Sequence, residues 1–163
     1  ETRDPDRKQM YGTDKVWINK FPENSQGEMR LNNVPLLRLS ETYLIAAEAS
    51  AKLNDKAAAA KYLNAIVQRA NPKATPVSEA DATVDRILIE RRKELVGEGH
   101  RFFDAMRNNQ TIVRYTDEAK KGYHYTLTTP ESRKFDRTYF RIVLPIPRGE
   151  TNVNRKIQQN PGY

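Results

Sequence analysis

The densest run of ionisable residues is Glu90-Arg91-Arg92-Lys93-Glu94, continued by Glu98, His100, Arg101 and Asp104. Glu90 and Glu94 are four residues apart, so on a helix they share one face. Glu98 extends that series if the helix persists. Two carboxylates could serve as acid and base on a glycosidic bond. A general acid needs a raised pKa, and Arg91, Arg92 and Lys93 push the other way. The residue types therefore favour ion pairing over turnover, and no catalytic residue is assigned. The expected product is a partly buried network of Glu48, Glu90, Arg91, Glu94, Arg101 and Asp104, joined by Arg69. Arginine suits it because its planar fork grips a carboxylate with two bonds.

Other chemistry is thinly supplied. His100 and Asp104 have i, i+4 spacing, but His124 is the only other histidine, so no metal site is assigned. With no cysteine, this chain has no thiolate metal site, disulfide or thiol nucleophile. Gly97-Glu98-Gly99 lacks the third glycine of a phosphate loop and follows a helical pattern rather than a strand. No cofactor is expected. Aromatic rings in loop-like sequence remain, with Trp17, Tyr123 and Tyr125 as ligand-binding candidates. Their faces could stack on sugar rings; the plain alternative is that they pin loops to the core.

The net charge is +7, yet it is unevenly spread. Residues 133–156 hold seven basic groups (Arg133, Lys134, Arg137, Arg141, Arg148, Arg155 and Lys156) against Asp136 and Glu150. The helical stretch is nearly neutral, which argues against a basic recognition helix and for a local patch or a solvated rim. No nucleic-acid partner is expected. No apolar run reaches the roughly 18 residues of a membrane span.

These groups need elements to position them. Residues 1–35 read as loop, with one short strand at Val16–Ile18. Leu36, Leu39, Tyr43, Ala46, Ala47 and Leu53 then mark one face of a helix. Asp55 caps a second helix from Lys56 to about Ala70, ended by Asn71-Pro72. A third follows Thr83 or Asp81, with Val84, Ile87, Leu88, Arg91 and Leu95 inward. Gly97 and Gly99 interrupt it before a fourth, about Arg101–Asn108. After Asn109 regularity fades, apart from a strand expected at Tyr139–Leu144. The fold class is all-α, a helical hairpin plus two further helices, with long loops and at most one or two short strands. Tyr43, Ala47, Ala59, Leu63 and Ile66 have the large and small spacing of a tetratricopeptide-like hairpin. Ser50, Ile66 and Pro72 depart from that repeat.

Four ordered stretches then resemble a known family. Leu37–Ala49 resembles the "LRLAEvYLiyAEA" helix of the SusD/RagB family, and Glu90–Asp104 its "ERrkELafEGhRffDl" signature. Asn64–Asn71 resembles its "lN.iR.RAn" helix. Leu144-Pro145-Ile146-Pro147 with Gln159–Tyr163 resembles its closing motifs. Val67 and Arg155 depart from the pattern. The resemblance implies that 1–163 is the C-terminal segment of a SusD/RagB-like domain. Its parts would be a loop-rich lead-in (1–35), a helical core (36–108) and an irregular tail (109–163). It further implies a Bacteroidetes lipoprotein on the outer surface of the outer membrane. Its anchor would be upstream of Glu1. Such a protein captures glycan or another nutrient without catalysis and delivers it to a SusC-type TonB-dependent transporter. This segment would act mainly as scaffold, or as a module docking on the transporter. None of the matched motifs is a ligand motif of the family.

Overall fold

Asp55 and Thr83 decide where two of the helices begin. The backbone N–H of Ala58 donates to Asp55 Oδ1 at 3.0 Å, and that of Arg86 donates to Thr83 Oγ1 at 3.2 Å. Each side chain satisfies a donor that the first helical turn leaves free. The computed structural model describes residue 20 and residues 36–114, 129–154 and 156–163. Four helices come first: α1 (Leu39–Lys52), α2 (Lys56–Ala70), α3 (Val84–Glu94) and α4 (His100–Arg107). Short pieces follow: β1 (Ile112–Val113), α5 (Pro130–Arg133), β2 (Lys134–Phe135), a 3₁₀ turn (Phe140–Ile142) and α6 (Arg148–Val153). The fold is therefore mostly helical. The strands expected at Val16–Ile18 lie outside the described residues.

The chain forms two units, Glu1–Glu98 and Gly99–Tyr163. In the first, α1 packs chiefly on α2 and then on α3. Leu44, Ala47, Ala59, Leu63 and Ile87 are completely buried. Alanines at 47 and 59 let the backbones of α1 and α2 come close, and Leu44 and Leu63 fill the space beside them. Tyr43 and Tyr62 pack edge to face against this core, 6.0 Å between centroids. The turn between α1 and α2 places Asn54 at φ 62°, a left-handed conformation that Asn tolerates well. Asn64 clasps the 71–82 connection to α2: its amide donates to Val77 O at 2.9 Å, and its carbonyl accepts from Val77 N at 2.7 Å.

Two sequence expectations need correcting here. The buried stripe of α1 is Ser40, Leu44, Ala47 and Glu48. Leu36 and Leu39 are 87% and 73% exposed. Arg38 is extended (φ −134°, ψ 140°), so the helix begins at Leu39, Leu36 lies outside it and Leu39 stands at its exposed first position. The strand expected at Tyr139–Leu144 is a 3₁₀ turn over Phe140–Ile142. Its N–H groups are satisfied locally, Ile142 N to Tyr139 O at 3.1 Å and Val143 N to Phe140 O at 3.3 Å.

The second unit has few fully buried apolar side chains among its described residues, and polar clasps shape it instead. β1 and β2 pair antiparallel, Ile112 opposite Phe135 and Val113 opposite Lys134. Gln159 acts as a substitute strand. Its Oε1 accepts from Ile146 N at 2.7 Å and its Nε2 donates to Ile146 O at 2.9 Å. Asn160 Nδ2 donates to Leu144 O at 2.7 Å, and Tyr163 Oη donates to Val143 O at 2.8 Å. Gly162 has φ 92°, and a Cβ there would come within 2.6 Å of the Phe140 ring. Only glycine meets both conditions.

Urea unfolding monitored by circular dichroism checks the core assignment. Leu63→Ala should cost about 2–5 kcal/mol. Ala47→Leu should cost about 1–3 kcal/mol through overpacking. Leu53→Ala, at an 82% exposed site, should stay within about 0.5 kcal/mol.

Candidate functional site

The charged motif that opens the chemistry of this chain closes on itself. α3 ends at Glu94, and Gly97 turns the backbone at φ 81°. Glu98 is therefore not on the helix, yet the turn brings it beside Glu94. Arg38, just before α1, reaches both. Its Nε donates to Glu98 Oε2 at 3.1 Å and its Nη2 donates to Glu94 O at 3.0 Å. The same Nη2 lies 3.1 Å from Glu94 Oε1 and 2.9 Å from Glu98 Oε1. Arg69, in the last turn of α2, donates to Glu94 Oε2 at 2.7 Å. Lys20 pairs with Glu98 and also donates to Glu94 O. Three cations thus converge on two carboxylates and on a carbonyl left free at the C-terminus of α3. Positive charge is favoured there by the helix dipole.

Burial alone would raise the Glu98 carboxyl. Hydrogen bonds and charge from Lys20 and Arg38 outweigh it and hold the group below the ordinary carboxylate range. Burial likewise disfavours the Arg38 cation, and Glu98 and Glu94 more than compensate, so its pKa is raised. Glu90 follows the same logic. Burial pushes it up, but Lys93 at 2.6 Å and Arg86 at 2.9 Å bring it down. A proton donor at neutral pH needs the opposite shift.

The expected network members are distributed as follows. Glu94 joins Arg38, Arg69 and Glu98. Glu90, buried on α3, binds Arg86 and Lys93 in its own helix. Glu48, buried on α1, pairs with Lys52 at 2.8 Å. Arg91, buried on α3, faces Glu41 of α1 at 3.8 Å. Arg101 donates to Gln110 Oε1 at 2.7 Å, and Asp104 accepts from Arg107 at 2.7 Å, both in the second unit. His100 begins α4 after Gly99, whose φ is 81°. Among the described residues no group of three or more His, Asp or Glu could hold a metal ion. Trp17, Tyr123 and Tyr125 lie outside the described residues, as do His124 and Arg155. Sequence reasoning missed Arg38 and Lys20. Arg38 is 56 residues from Glu94, and no periodicity joins them.

Two surfaces, one in each unit, could receive a ligand. One is a groove of about 470 Å³ lined by Arg38, Leu39, Ser40, Tyr43, Ala65, Ile66 and Arg69. Its Ser40 hydroxyl is buried without a hydrogen-bond partner among the described residues. The other is a row of rings in the second unit. Phe135, Tyr139, Phe140 and Tyr163 succeed one another with centroids 5.7, 5.3 and 5.2 Å apart. Among the described residues, no helix is long and apolar enough to cross a membrane.

Comparison with known proteins places this architecture. The model of the SusD family matches residues 2–163. A SusD-like protein of Formosa agariphila is 31% identical over 157 residues, 91% of this chain and 28% of the relative. A SusD superfamily protein from Bacteroides vulgatus is 52% identical with a TM-score of 0.68, covering 81% of this chain and 28% of that one. A candidate sugar-binding protein from the same species is 42% identical with a TM-score of 0.76, covering 90% and 32%. The chain therefore spans less than a third of the length of these relatives.

The charge cluster gives a pH prediction. Glu98 and Glu90 have lowered native pKa values, so their stabilisation is complete above the unfolded value of about 4.3. It is lost as the pH falls through their lower native values. The urea midpoint should drop on acidification through that window, and the drop should shrink in Glu90→Gln/Glu98→Gln. Arg38→Ala should cost about 1–3 kcal/mol at neutral pH by removing the cation that bridges both carboxylates, leaving Glu94 to Arg69 and Glu98 to Lys20.

Proposed function

This chain belongs to the SusD family, and from that premise we propose that it binds glycan or another nutrient without catalysis. It works at the cell surface, on the outer membrane of a Bacteroidetes bacterium, held there by a lipid anchor. It passes its cargo to a SusC-type TonB-dependent transporter. This segment, residues 1–163, serves mainly as scaffold. The observation that carries this reading is the family match along the whole sequence, joined to likeness with a candidate sugar-binding protein over 90% of the chain.

The chemistry of the charged motif supports the non-catalytic half of the proposal. Glycoside hydrolysis would require one carboxylic acid to stay protonated near neutral pH. Glu90 and Glu98 are instead held ionised by neighbouring cations that outweigh their burial. Glu94 is engaged by both Arg38 and Arg69. Each carboxylate already has a structural task.

A panel of soluble polysaccharides tests the proposal by affinity electrophoresis and reducing-sugar release. The chain should be retarded by at least one polysaccharide and should release no sugar. Retardation by none would overturn the glycan-binding role. Release that disappears in Glu94→Gln would overturn the non-catalytic one. Trp17→Ala and Tyr123→Ala separate direct contact from scaffold. A loss of about tenfold would mean that a stacking ring of roughly 1–1.5 kcal/mol has gone. Unchanged affinity in both would assign ligand contact elsewhere.

A further inference from the structure

The row of rings in the second unit coincides with the segment that carries most of the net charge. Phe135 sits on β2, Tyr139 closes the Asp136–Tyr139 turn, Phe140 opens the 3₁₀ turn and Tyr163 comes back from the tail. Tyr163 and Gly162 fix the stack, one through its bond to Val143 O and the other by leaving room for Phe140. Phe140 and Tyr163 remain 37% and 46% exposed. Arginines lie against the row. The guanidinium of Arg114 is 5.7 Å from the centroid of Phe135, and that of Arg141 is 5.3 Å from the centroid of Phe140. Arg114 is placed there by the hairpin, its N–H donating to Arg133 O at 2.7 Å. Lys134 and Arg137 are exposed on the same short stretch.

The acidic groups nearby offset only part of this charge: Asp136 lies within electrostatic reach of Arg137, and over 133–156 two acidic groups stand against seven basic ones. Asp136 accepts from Thr138 N at 2.8 Å and Thr138 Oγ1 at 2.6 Å. Glu131 lies within electrostatic reach of Arg141. Exposed rings with cations on them pair an apolar stacking face with donors for an anion. Sugar rings present such an apolar face, and sulfate or carboxylate substituents present the anion.

We propose that the Phe135–Tyr139–Phe140–Tyr163 row, with Arg114, Arg137 and Arg141, is a subsite for a polyanionic glycan bearing sulfate or uronate groups. This rests on the glycan-binding reading above and narrows it to a class of glycan. A neutral glycan would use the rings and offer the guanidinium groups only hydroxyl acceptors, which lack the charge-assisted, two-pronged bond of a sulfate or carboxylate. An anionic glycan uses both.

The test compares dextran sulfate and polygalacturonate with neutral dextran, using the whole chain in affinity electrophoresis and isothermal titration. The chain should bind at least one anionic polymer about tenfold more tightly than dextran. Binding should weaken steeply as ionic strength rises from about 0.01 to about 1 M, where the screening length falls from about 30 to about 3 Å. Arg114→Gln/Arg137→Gln/Arg141→Gln, with an unchanged circular dichroism spectrum, should lose about tenfold or more. Phe140→Leu should also lose affinity, and Lys56→Gln, on the exposed face of α2, should not. If the neutral panel binds but neither anionic polymer does, this inference falls and the glycan-binding reading stands. If no glycan of either kind binds, both fall. Equal affinity for phosphatidylglycerol vesicles, undiminished in Phe140→Leu, would mark unspecific charge attraction and overturn the subsite.

Discussion

Two carboxylates at the end of α3 hold the first unit together. Glu94 and Glu98 gather Lys20, Arg38 and Arg69 from three separate stretches of chain. The apolar contact of α1 with α2 is built from alanines and a few large side chains. It fixes how closely the helices approach, but it is too smooth to fix where α3 ends. The ion pairs supply that. A guanidinium has fixed donor directions, so Arg38 can satisfy Glu94 O and Glu98 Oε2 only in one placement of the turn between them. Gly97 makes the turn possible by accepting a left-handed backbone. The same cations that anchor the turn keep its carboxylates charged, which removes them from acid catalysis.

The second unit solves the same problem with different means. It offers little apolar burial among its described residues, so it relies on side-chain amides and ring edges. Gln159 supplies the donor and acceptor that a neighbouring strand would give Ile146, and Asn160 and Tyr163 add bonds to Leu144 and Val143. Pro145 and Pro147 interrupt the segment that these bonds hold, because proline has no N–H to offer a ladder. An irregular segment thereby gains a defined shape without a sheet. Rings at the surface become a rigid row because their neighbours are pinned at backbone level.

These two solutions bear on function in different ways. In the first unit the largely buried carboxylates Glu48, Glu90, Glu94 and Glu98 are each met by a cation at short range. Charge in the second unit is displayed, on arginines that lie against ring faces. A uniform net charge would have suggested one partner for the whole surface. Its division shows that Lys20, Arg38, Arg69 and Arg91 of the first unit do structural work. The tail has cations to spare.

Much of the helical order was legible in the sequence. Asp55 and Thr83 announce helix starts, and α2 runs from Lys56 to Ala70 as its apolar spacing requires. Such features depend on neighbours within a turn or two, so local sequence determines them. The family motifs were legible for the same reason, as runs of consecutive residues. What the sequence left open is what joins residues far apart. Leu36 falls outside α1 because Arg38 before the helix is extended, and Arg38 is where this stretch meets Glu94 and Glu98. Tyr139–Leu144 has the composition of a strand, but Asn160 and Tyr163 bind Leu144 and Val143 and Phe140 packs on Tyr163. Hydropathy periodicity records which side chains avoid water. It holds no record of which carboxylate a given arginine reaches, because that depends on chain directions set by packing. The sequence by itself therefore determined the helices and their caps. Only the tertiary structure decided which charges are spent inside the fold and which remain at the surface.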